Sequence, residues 1–309
     1  MAAYYIGVDI GGTSVKLGSF DTEGSLLEKW EIPTRKENGG NKILPDIAAS
    51  LKERVTGEIK GIGLGVPGPV TEDGTVLKCA NLGWDVFHVA KKVTELTGVD
   101  NVAVGNDATV AGLGELWQGG GRGFHDMVMV TLGTGVGGGI ILNGKIVSGS
   151  KGAAGEIGHI KVEENEDAVC GCGGHGCLEQ YASATGIVRM AKRFMKPDST
   201  VSGCENLSAK MIFDAAKSGD SYCMEIVEKF GKYLGTALSN IACVIDPEVI
   251  VIGGGVSRAG QIILDVVEKW YQKQSMFALR NKVFRLAELG NDAGIFGCVK
   301  MVIENRSED

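Results

Sequence analysis

The chain has 309 residues, of which 44% are hydrophobic and 22% charged, a composition typical of a globular protein with a sizeable core. Its net charge of −7 argues against a protein that binds nucleic acid or anionic membranes through a basic face. No apolar run approaches the ~18 residues of a membrane-spanning helix, and the N-terminus lacks the basic segment of a signal peptide. We therefore expect a cytoplasmic protein without nucleic-acid or membrane partners.

Glycine is the compositional outlier. The chain has 48 glycines, about twice the usual share of ~7%. It has only 6 prolines and no Gly-X-Y repeat, which excludes a collagen-like protein. We expect the glycines to serve tight turns and close approaches of the backbone.

The first part of the chain alternates strand-like and helix-like segments. Hydrophobic periodicity, Gly and Pro set the boundaries. In order, the sequence predicts a β-meander over 4–32, a helix over 41–56, a strand over 59–66, a helix over 85–98, a strand over 102–105 and a helix over 108–117.

The opening pattern then returns. The sequence predicts a strand over 127–132, a turn at Gly133-Thr-Gly135 and a strand over 139–142 that ends at the hairpin dipeptide Asn143-Gly144. The remaining predicted elements are helices over 182–195, 208–218 and 220–243, a strand over 248–252, a helix over 259–272, a strand over 283–286 and a helix over 293–304. This alternation favours an α/β fold.

The repeated pattern also predicts the domain organisation. We expect a smaller N-terminal α/β domain over 1–120, completed by the C-terminal helix at about 293–309, and a larger α/β domain over 121–292. Two similar halves that face each other would leave a central cleft, a common place for a ligand.

Two familiar nucleotide motifs are rejected. Gly133-Thr-Gly-Val-Gly-Gly138 matches the dinucleotide pattern, but that motif requires a helix to follow and a strand is predicted here. Gly139–Lys145 nearly matches a P-loop, but Ile146 stands where Ser or Thr would bind Mg²⁺. What remains is two glycine–threonine hairpins, which are either plain tight turns or phosphate-binding loops.

Three of the eight cysteines lie together, as Cys170, Cys172 and Cys177, and His159 precedes them. Three thiolates and one imidazole complete a tetrahedral structural zinc site. His175 is a competing ligand ranked below His159, and a reduced cluster without metal is the alternative. The other cysteines are interpreted as small buried hydrophobes: Cys79, Cys204, Cys223, Cys243 and Cys298.

The hairpins Asp9-Ile-Gly11-Gly12-Thr13 and Leu132-Gly133-Thr134-Gly135 resemble the phosphate loops of the ASKHA superfamily, which includes actin and sugar kinases. The resemblance implies two actin-like, ribonuclease H-like domains with ATP in the cleft and Asp9 acting on Mg²⁺. It implies nucleotide contacts from Gly11, Gly12, Thr13, Gly133, Thr134 and Gly135, and an adenosine loop at Gly253, Gly254 and Gly255. Lys16 is a further candidate for the phosphates, with a solvated strand face as the alternative.

The run from Glu156-Ile-Gly-His159 through Cys170-Gly-Cys172-Gly-Gly-His-Gly-Cys177-Leu-Glu179 resembles the signature of the ROK family (repressor, open reading frame, kinase). The resemblance covers almost the whole chain and is strongest to the bacterial glucokinases. Repressor members carry an N-terminal helix-turn-helix domain, and the direct start at the first strand disfavours that branch.

This resemblance implies the roles of the site residues. Asp107 would be the general base that takes the proton from the sugar hydroxyl. The implied sugar ligands are Asn106, Asp107, Glu156, His159 and Glu179, with Asn81 at the edge of the pocket. By local sequence alone, Asn106-Asp107 is a helix cap and the two glutamates are surface carboxylates.

The implied activity is the ATP-dependent phosphorylation of glucose to glucose 6-phosphate, with ATP, Mg²⁺ and structural Zn²⁺ as cofactors, by a homodimer or homotetramer. Other acceptors within the family are N-acetylmannosamine, fructose, mannose and allose, and polyphosphate is an alternative donor. A sugar sensor that binds without turnover is the alternative from another class.

Overall fold

A computed structural model describes residues 3–305. The strands of this range are β1 Ala3–Ile10, β2 Ser14–Phe20, β3 Leu26–Pro33, β4 Glu58–Val66, β5 Thr75–Val76, β6 Phe87–His88, β7 Val102–Asn106, β8 Met127–Leu132, β9 Val136–Leu142, β10 Lys145–Ile146, β11 Val249–Gly253 and β12 Val283–Leu286. The α-helices are α1 Glu37–Gly40, α2 Ile43–Arg54, α3 Val89–Thr97, α4 Asp107–Gln118, α5 Glu179–Ala182, α6 Ala184–Arg193, α7 Ala209–Lys217, α8 Ser221–Ile245, α9 Gln261–Gln274 and α10 Ala293–Asn305.

The chain divides into two compact units. The first comprises the residues up to His125, then Gly139–Gly155, and the stretch from Leu289 onward; the second comprises Asp126–Gly138 and Glu156–Glu288. The domain boundaries at residues 120 and 292 stay a prediction.

The first unit is built on a five-stranded sheet of order β3-β2-β1-β4-β7. β1, β2 and β3 form the expected antiparallel meander, whereas β4 and β7 continue the sheet in parallel. Apolar side chains of α2 and α3 pack on one face, and α10 packs on the other. Because β1, β4 and β7 are parallel, their carboxyl ends meet at one edge of the sheet.

Several glycines of this unit do not form turns. They allow a helix to pack closely against the sheet. A Cβ at Gly7 would overlap the carbonyl oxygen of Ile295, and one at Gly63 would overlap that of Cys298. The backbone of α10 therefore lies directly against β1 and β4. At these positions glycine allows two backbone segments of the same protein to approach each other closely.

The second unit contains strands of a sheet of order β10-β9-β8-β11-β12, in which β11 runs parallel to β8 and β12. Its core is formed by β8, β11 and the helices α6 to α9, around the 25-residue helix α8. Ser208 caps α7 through its hydroxyl oxygen, which accepts a hydrogen bond from the Met211 N–H at 3.3 Å.

Local signals in the sequence account for most element boundaries. Asn143 and Gly144 have φ of 53° and 75°, as the turn between β9 and β10 requires. The helix predicted over 85–98 begins only at Val89, because Phe87–His88 pairs with Thr75–Val76. Within residues 3–305, no helix combines the length and the apolarity that a bilayer crossing needs.

The interpretation of the five separate cysteines as buried was wrong for two of them. Cys79, Cys223 and Cys298 are buried, but Cys243 is exposed and Cys204 is half-buried. Cys243 lies in the last turn of α8, where the helix passes the edge of the core and the adjacent Val244 is 84% exposed.

Candidate functional site

The first glycine hairpin joins β1 to β2. It is closed by a hydrogen bond from the Gly11 N–H to the Ser14 carbonyl at 3.0 Å, and the Thr34 hydroxyl donates to the Gly11 carbonyl at 2.7 Å. No atom lies within 4 Å of a Cβ built on Gly12, and Gly12 and Thr13 are exposed. The tip of the hairpin is therefore an open loop on a fixed base.

Asp9 precedes this hairpin and faces Lys16 across it in the β1–β2 register. Burial raises the pKa of the Asp9 carboxyl, and the positive charge of Lys16 opposes this shift. The Lys16 Nζ donates a hydrogen bond to the Asn291 carbonyl at 3.1 Å. Lys16 is thus a half-buried partner of an acidic group, not a side chain on a fully solvated strand face.

Asp9 and Asp107 flank Gly65 at the carboxyl edge of the sheet. The register pairs Asp9 with Gly65 and Gly65 with Gly105. A Cβ at Gly65 would lie 3.8 Å from Asp9 Oδ1 and 3.7 Å from Asp107 Cα. Since adjacent strands are ~4.8 Å apart, β1 and β7 are separated by about 10 Å. Cys298 Sγ would lie 3.5 Å from the same Cβ, so the two aspartates and this cysteine enclose the position of the missing side chain.

Asn106 is the cap of α4. Its Oδ1 accepts hydrogen bonds from the N–H groups of Ala108 and Thr109 at 3.1 and 3.2 Å, and its Nδ2 donates to the Gly68 carbonyl at 3.2 Å. Asp107 is the first residue of the helix, where the partial positive charge of the helix N-terminus favours a carboxylate. The cap expected from local sequence therefore holds Asp107 at the edge of the sheet.

Asn81 lies in a separate loop of the same unit and is exposed. Backbone hydrogen bonds between Cys79 and Trp84 close this loop, and the Trp84 indole N–H donates to the Gly40 carbonyl at 3.2 Å. Burial raises the pKa of the Cys79 thiol, and the negative charge of Asp107 adds to that shift. The loop that carries Asn81 is therefore close to Asp107.

The second glycine hairpin joins β8 to β9 and is tied to the start of α6. The Gly133 carbonyl accepts from the Ala184 N–H at 2.8 Å, and the Thr134 carbonyl accepts from the Thr185 hydroxyl at 2.7 Å. A Cβ at Gly135 would lie 2.5 Å from Glu179 Oε2. A side chain at Gly135 would therefore have to displace the Glu179 carboxylate, the free end of a flexible side chain.

The second and third glycine loops line one cavity of about 460 Å³ in the second unit. Gly133 and Thr134 lie on one side and Gly255 on the other. A Cβ at Gly254, whose φ is +85°, would lie 2.5 Å from the Leu132 carbonyl oxygen, so the third loop packs against the end of β8. The cavity contains polar and aromatic residues that the sequence analysis missed: Ser208, Lys210, Phe213, Asp214 and Arg258. Of these, only Ser208 carried a local signal, as a helix cap.

The ligand atoms of His159, Cys170, Cys172 and Cys177 all lie within 4.8 Å of one another. Cys172 Sγ is 3.6 Å from Cys177 Sγ, and Cys170 Sγ is 3.7 Å from His159 Nδ1. His175 lies outside this group, with its Nδ1 3.2 Å from the Glu166 carbonyl oxygen. The structure thus brings together the four predicted ligands and separates the competing histidine from them.

The electrostatics of this cluster favour a cation. Burial raises the pKa of the Cys170 and Cys177 thiols, whereas the Gly174 N–H lowers that of Cys172. Buried thiols that share one space ionise only when a positive charge compensates them. The donor set of three sulfurs and one imidazole nitrogen matches tetrahedral Zn²⁺.

Two glutamates lie beside the cluster. Glu179 Oε1 is 3.3 Å from Cys170 Sγ, and Glu156 Oε2 is 3.9 Å from His159 Nε2. His159 therefore directs Nδ1 to the sulfurs and Nε2 to the side of Glu156. This is the two-sided arrangement expected of an imidazole that is fixed by a metal and uses its other nitrogen elsewhere.

The ROK family model matches residues 5–305 of the chain. A glucokinase of Halalkalibacterium halodurans is 43% identical over 308 residues, which cover 95% of this chain and 93% of that protein. A crystal structure of a ROK family glucokinase from Streptomyces griseus in complex with glucose and AMPPNP is 33% identical, with a TM-score of 0.75 and coverage of 96% of this chain and 98% of that one. A ROK hexokinase from Thermus thermophilus is 28% identical, with a TM-score of 0.81 and coverage of 99% and 100%. These matches confirm the predicted resemblance and the ASKHA fold class, and the chain belongs to the ROK family.

Proposed function

We propose that the chain is an ATP-dependent kinase that phosphorylates glucose at its 6-hydroxyl. The observation that carries the proposal is the placement of Asp107 at a helix N-terminus, opposite Asp9 across Gly65, in a chain similar to a glucokinase over 95% of its length. Phosphoryl transfer needs a base beside the acceptor hydroxyl and neutralisation of the phosphate charge.

Asp107 is the proposed general base. The cap formed by Asn106 fixes the start of α4, and the partial positive charge of the helix N-terminus favours the carboxylate form. In this state Asp107 accepts the proton of the sugar hydroxyl as that oxygen attacks the γ-phosphate, a role worth about 10²–10⁴-fold in rate.

Asp9 is the proposed group for Mg²⁺. A single, half-buried carboxylate at the base of an open glycine loop fits a hard cation that keeps most of its waters. When bound, Mg²⁺ neutralises charge on the transferred phosphoryl group. Lys16 adds a second positive charge next to Asp9.

The 460 Å³ cavity is the proposed nucleotide site. Its size suits a nucleotide. The Gly133 N–H donates to the Gly135 carbonyl at 3.0 Å, so the proposed phosphate donor of this hairpin is the Thr134 N–H at its tip. Arg258 adds positive charge, whereas Lys210 pairs with Asp214 of the same cavity at 2.5 Å. Gly253, Gly254 and Gly255 form the adenosine side of this proposal.

The sugar ligands of the proposal are Asn81, Asn106, Asp107, Glu156, His159 and Glu179. Carboxylates and amides discriminate between sugars because a missing hydroxyl leaves one of them without its partner. The Asn106 amide already donates to Gly68, so only its second N–H is available to a sugar.

We also propose that His159, Cys170, Cys172 and Cys177 hold a structural Zn²⁺. Atomic absorption of the purified protein should find about one zinc per chain, in line with a four-ligand site. Cys177→Ser should lose the metal, and Cys204→Ser, which changes a half-buried cysteine outside the cluster, should retain it. Equal zinc content in the two variants would contradict the assignment.

The test of the kinase reaction is Asp107→Asn. Glucose binding should survive, while the rate of phosphorylation with Mg·ATP should fall about 10²–10⁴-fold, the usual contribution of a general base. The matched control is Asp100→Asn, an exposed aspartate of the same unit, which should retain full activity. Near-normal turnover in Asp107→Asn would overturn the base assignment.

A panel of hexoses and N-acetylhexosamines, with ATP and polyphosphate as donors, tests the substrate. Glucose with ATP should give the highest kcat/KM. A higher kcat/KM for N-acetylmannosamine, fructose, mannose or allose would leave the proposed mechanism unchanged and identify that sugar as the substrate in place of glucose. Sugar binding with no turnover of any member would favour a sensor.

A further inference from the structure

A second cavity of about 330 Å³ lies between α6, α8 and the segment that precedes Cys170. Four of its lining residues are cations, namely Arg189, Arg193, Lys229 and Lys232, and one is a carboxylate, Glu163. With the buried Glu166 behind the arginines, the cations still exceed the carboxylates by two. This basic cavity stands out in a chain whose net charge is −7.

Arg189 is held rigidly at the wall of the basic cavity. Its Nη2 donates to Glu166 Oε2 at 2.8 Å and to the Gln180 carbonyl at 2.9 Å. Glu166 in turn accepts from the Tyr181 hydroxyl and the Ala168 N–H. Among residues 3–305, no backbone or carboxylate acceptor faces the Nε and Nη1 of Arg189. The guanidinium is therefore held in one orientation, and its Nε and Nη1 donors remain for a ligand.

The two lysines lie one turn apart on the same face of α8. Their ammonium groups sit over aromatic rings, Lys229 over Phe194 at 4.1 Å and Lys232 over Trp270 at 5.8 Å. Within the described part of the chain neither of them forms an ion pair. The adjacent carboxylate on α8, Glu228, pairs with Lys269 at 2.7 Å and therefore does not neutralise the two lysines.

We propose that the basic cavity binds the phosphoryl group of a small phosphate ester. A fixed guanidinium and two mobile ammonium groups match a compact dianion. The stacked rings of Tyr181 and Tyr233, 4.2 Å apart, form an apolar wall for the remainder of the ester. The volume suits a molecule the size of a hexose phosphate and not an extended polymer.

The experiment is calorimetric titration of the full chain with glucose 6-phosphate and, separately, with inorganic phosphate. Glucose and a non-hydrolysable ATP analogue are present at saturating concentration, so that the proposed kinase site is filled. The test variant is the double change Lys229→Gln, Lys232→Gln. The control is Lys192→Gln, an exposed lysine of α6 that does not line the cavity.

Binding of about one equivalent, weakened at least tenfold in the double variant and unchanged in the control, is the expected result. Tighter binding of glucose 6-phosphate than of inorganic phosphate would support an ester ligand, and equal binding would support recognition of the phosphoryl group alone. No saturable binding of either probe at ~10 mM, or equal binding in all three proteins, would overturn the proposal. The phosphorylation rate measured on the same preparations reports separately on the proposed function.

Discussion

At the scale of single residues, the contact between Asp9 and Gly294 has the clearest consequence for the site. A Cβ at Gly294 would lie 2.7 Å from Asp9 Cγ and 2.8 Å from Asp9 Oδ2. The Asp9 carboxylate thus packs directly against the first turn of α10, and this contact limits where the carboxylate can lie. A side chain at Gly294 would displace it.

We expect Gly294→Ala to lower kcat/KM by about tenfold or more, since displacing a catalytic group by about 1 Å has effects of this size. Steady-state kinetics at varied Mg²⁺ concentration would measure it, and the Mg²⁺ requirement should rise. Lys300→Ala, on the same helix and paired with Glu304, should leave that requirement unchanged. An identical Mg²⁺ dependence in both variants would show that Gly294 does not position Asp9.

Glu166 carries a pH-dependent part of the stability. Burial opposes its ionisation, but hydrogen bonds from Arg189, Tyr181 and the Ala168 N–H outweigh burial and lower its pKa to about 2. Because the pKa is lowered on folding, the stabilisation is complete above the unfolded value of ~4.3. It is lost as the pH falls through the folded pKa.

We expect Glu166→Gln to lower the free energy of unfolding at pH 7 by about 2 kcal/mol, the scale of hydrogen bonds to a charged group. Urea denaturation of both proteins should show this difference shrinking between pH 5 and pH ~2.5. The control is Glu164→Gln, an exposed neighbour, which should match the parent throughout. A difference that stays constant with pH would exclude ionisation of Glu166 as its origin.

At the scale of secondary-structure elements, α10 decides how the first unit is packed. Gly7 and Gly63 let its backbone touch β1 and β4, and a further contact joins it to α4, where a Cβ at Gly297 would overlap the Val110 carbonyl. The glycine count was visible in the sequence, but the partner of each glycine was not. Gly7 and Gly63 meet a helix that lies more than 200 residues later in the chain.

Gly63→Ala tests this packing. Because the new Cβ would overlap a backbone carbonyl that cannot rotate away, we expect a loss of about 3 kcal/mol or more. Thermal denaturation followed by circular dichroism should show a Tm lower by roughly 6 °C. An unchanged Tm would mean that α10 does not lie against β4 as described.

Other elements followed from local chemistry. The Asn143-Gly144 turn and the caps at Asn106 and Ser208 were readable because each depends on neighbouring residues alone. The helix predicted over 85–98 was too long at its start, because the pairing of Phe87–His88 with Thr75–Val76 is a contact between separated segments. Local propensity cannot anticipate such a pairing.

At the scale of the whole molecule, the alternation of strands and helices predicted the α/β class, and the comparisons with solved ROK proteins confirm it. The homodimer or homotetramer and the boundaries at residues 120 and 292 stay predictions. The basic cavity was not predicted, because its cations come from α6 and α8, and neither helix carries a charge run that marks a shared surface.

The sequence by itself determined the family, the two glycine–threonine hairpins and the grouping of His159 with three cysteines, since each is a short pattern that depends on residue type and spacing. Only the tertiary structure decided that Gly65 lies between Asp9 and Asp107, that Gly294 holds the Asp9 carboxylate, and that Glu179 lies against both Gly135 and Cys170. The physical reason is that steric exclusion and electrostatic coupling depend on distances in space, and folding sets those distances between segments that are remote along the chain.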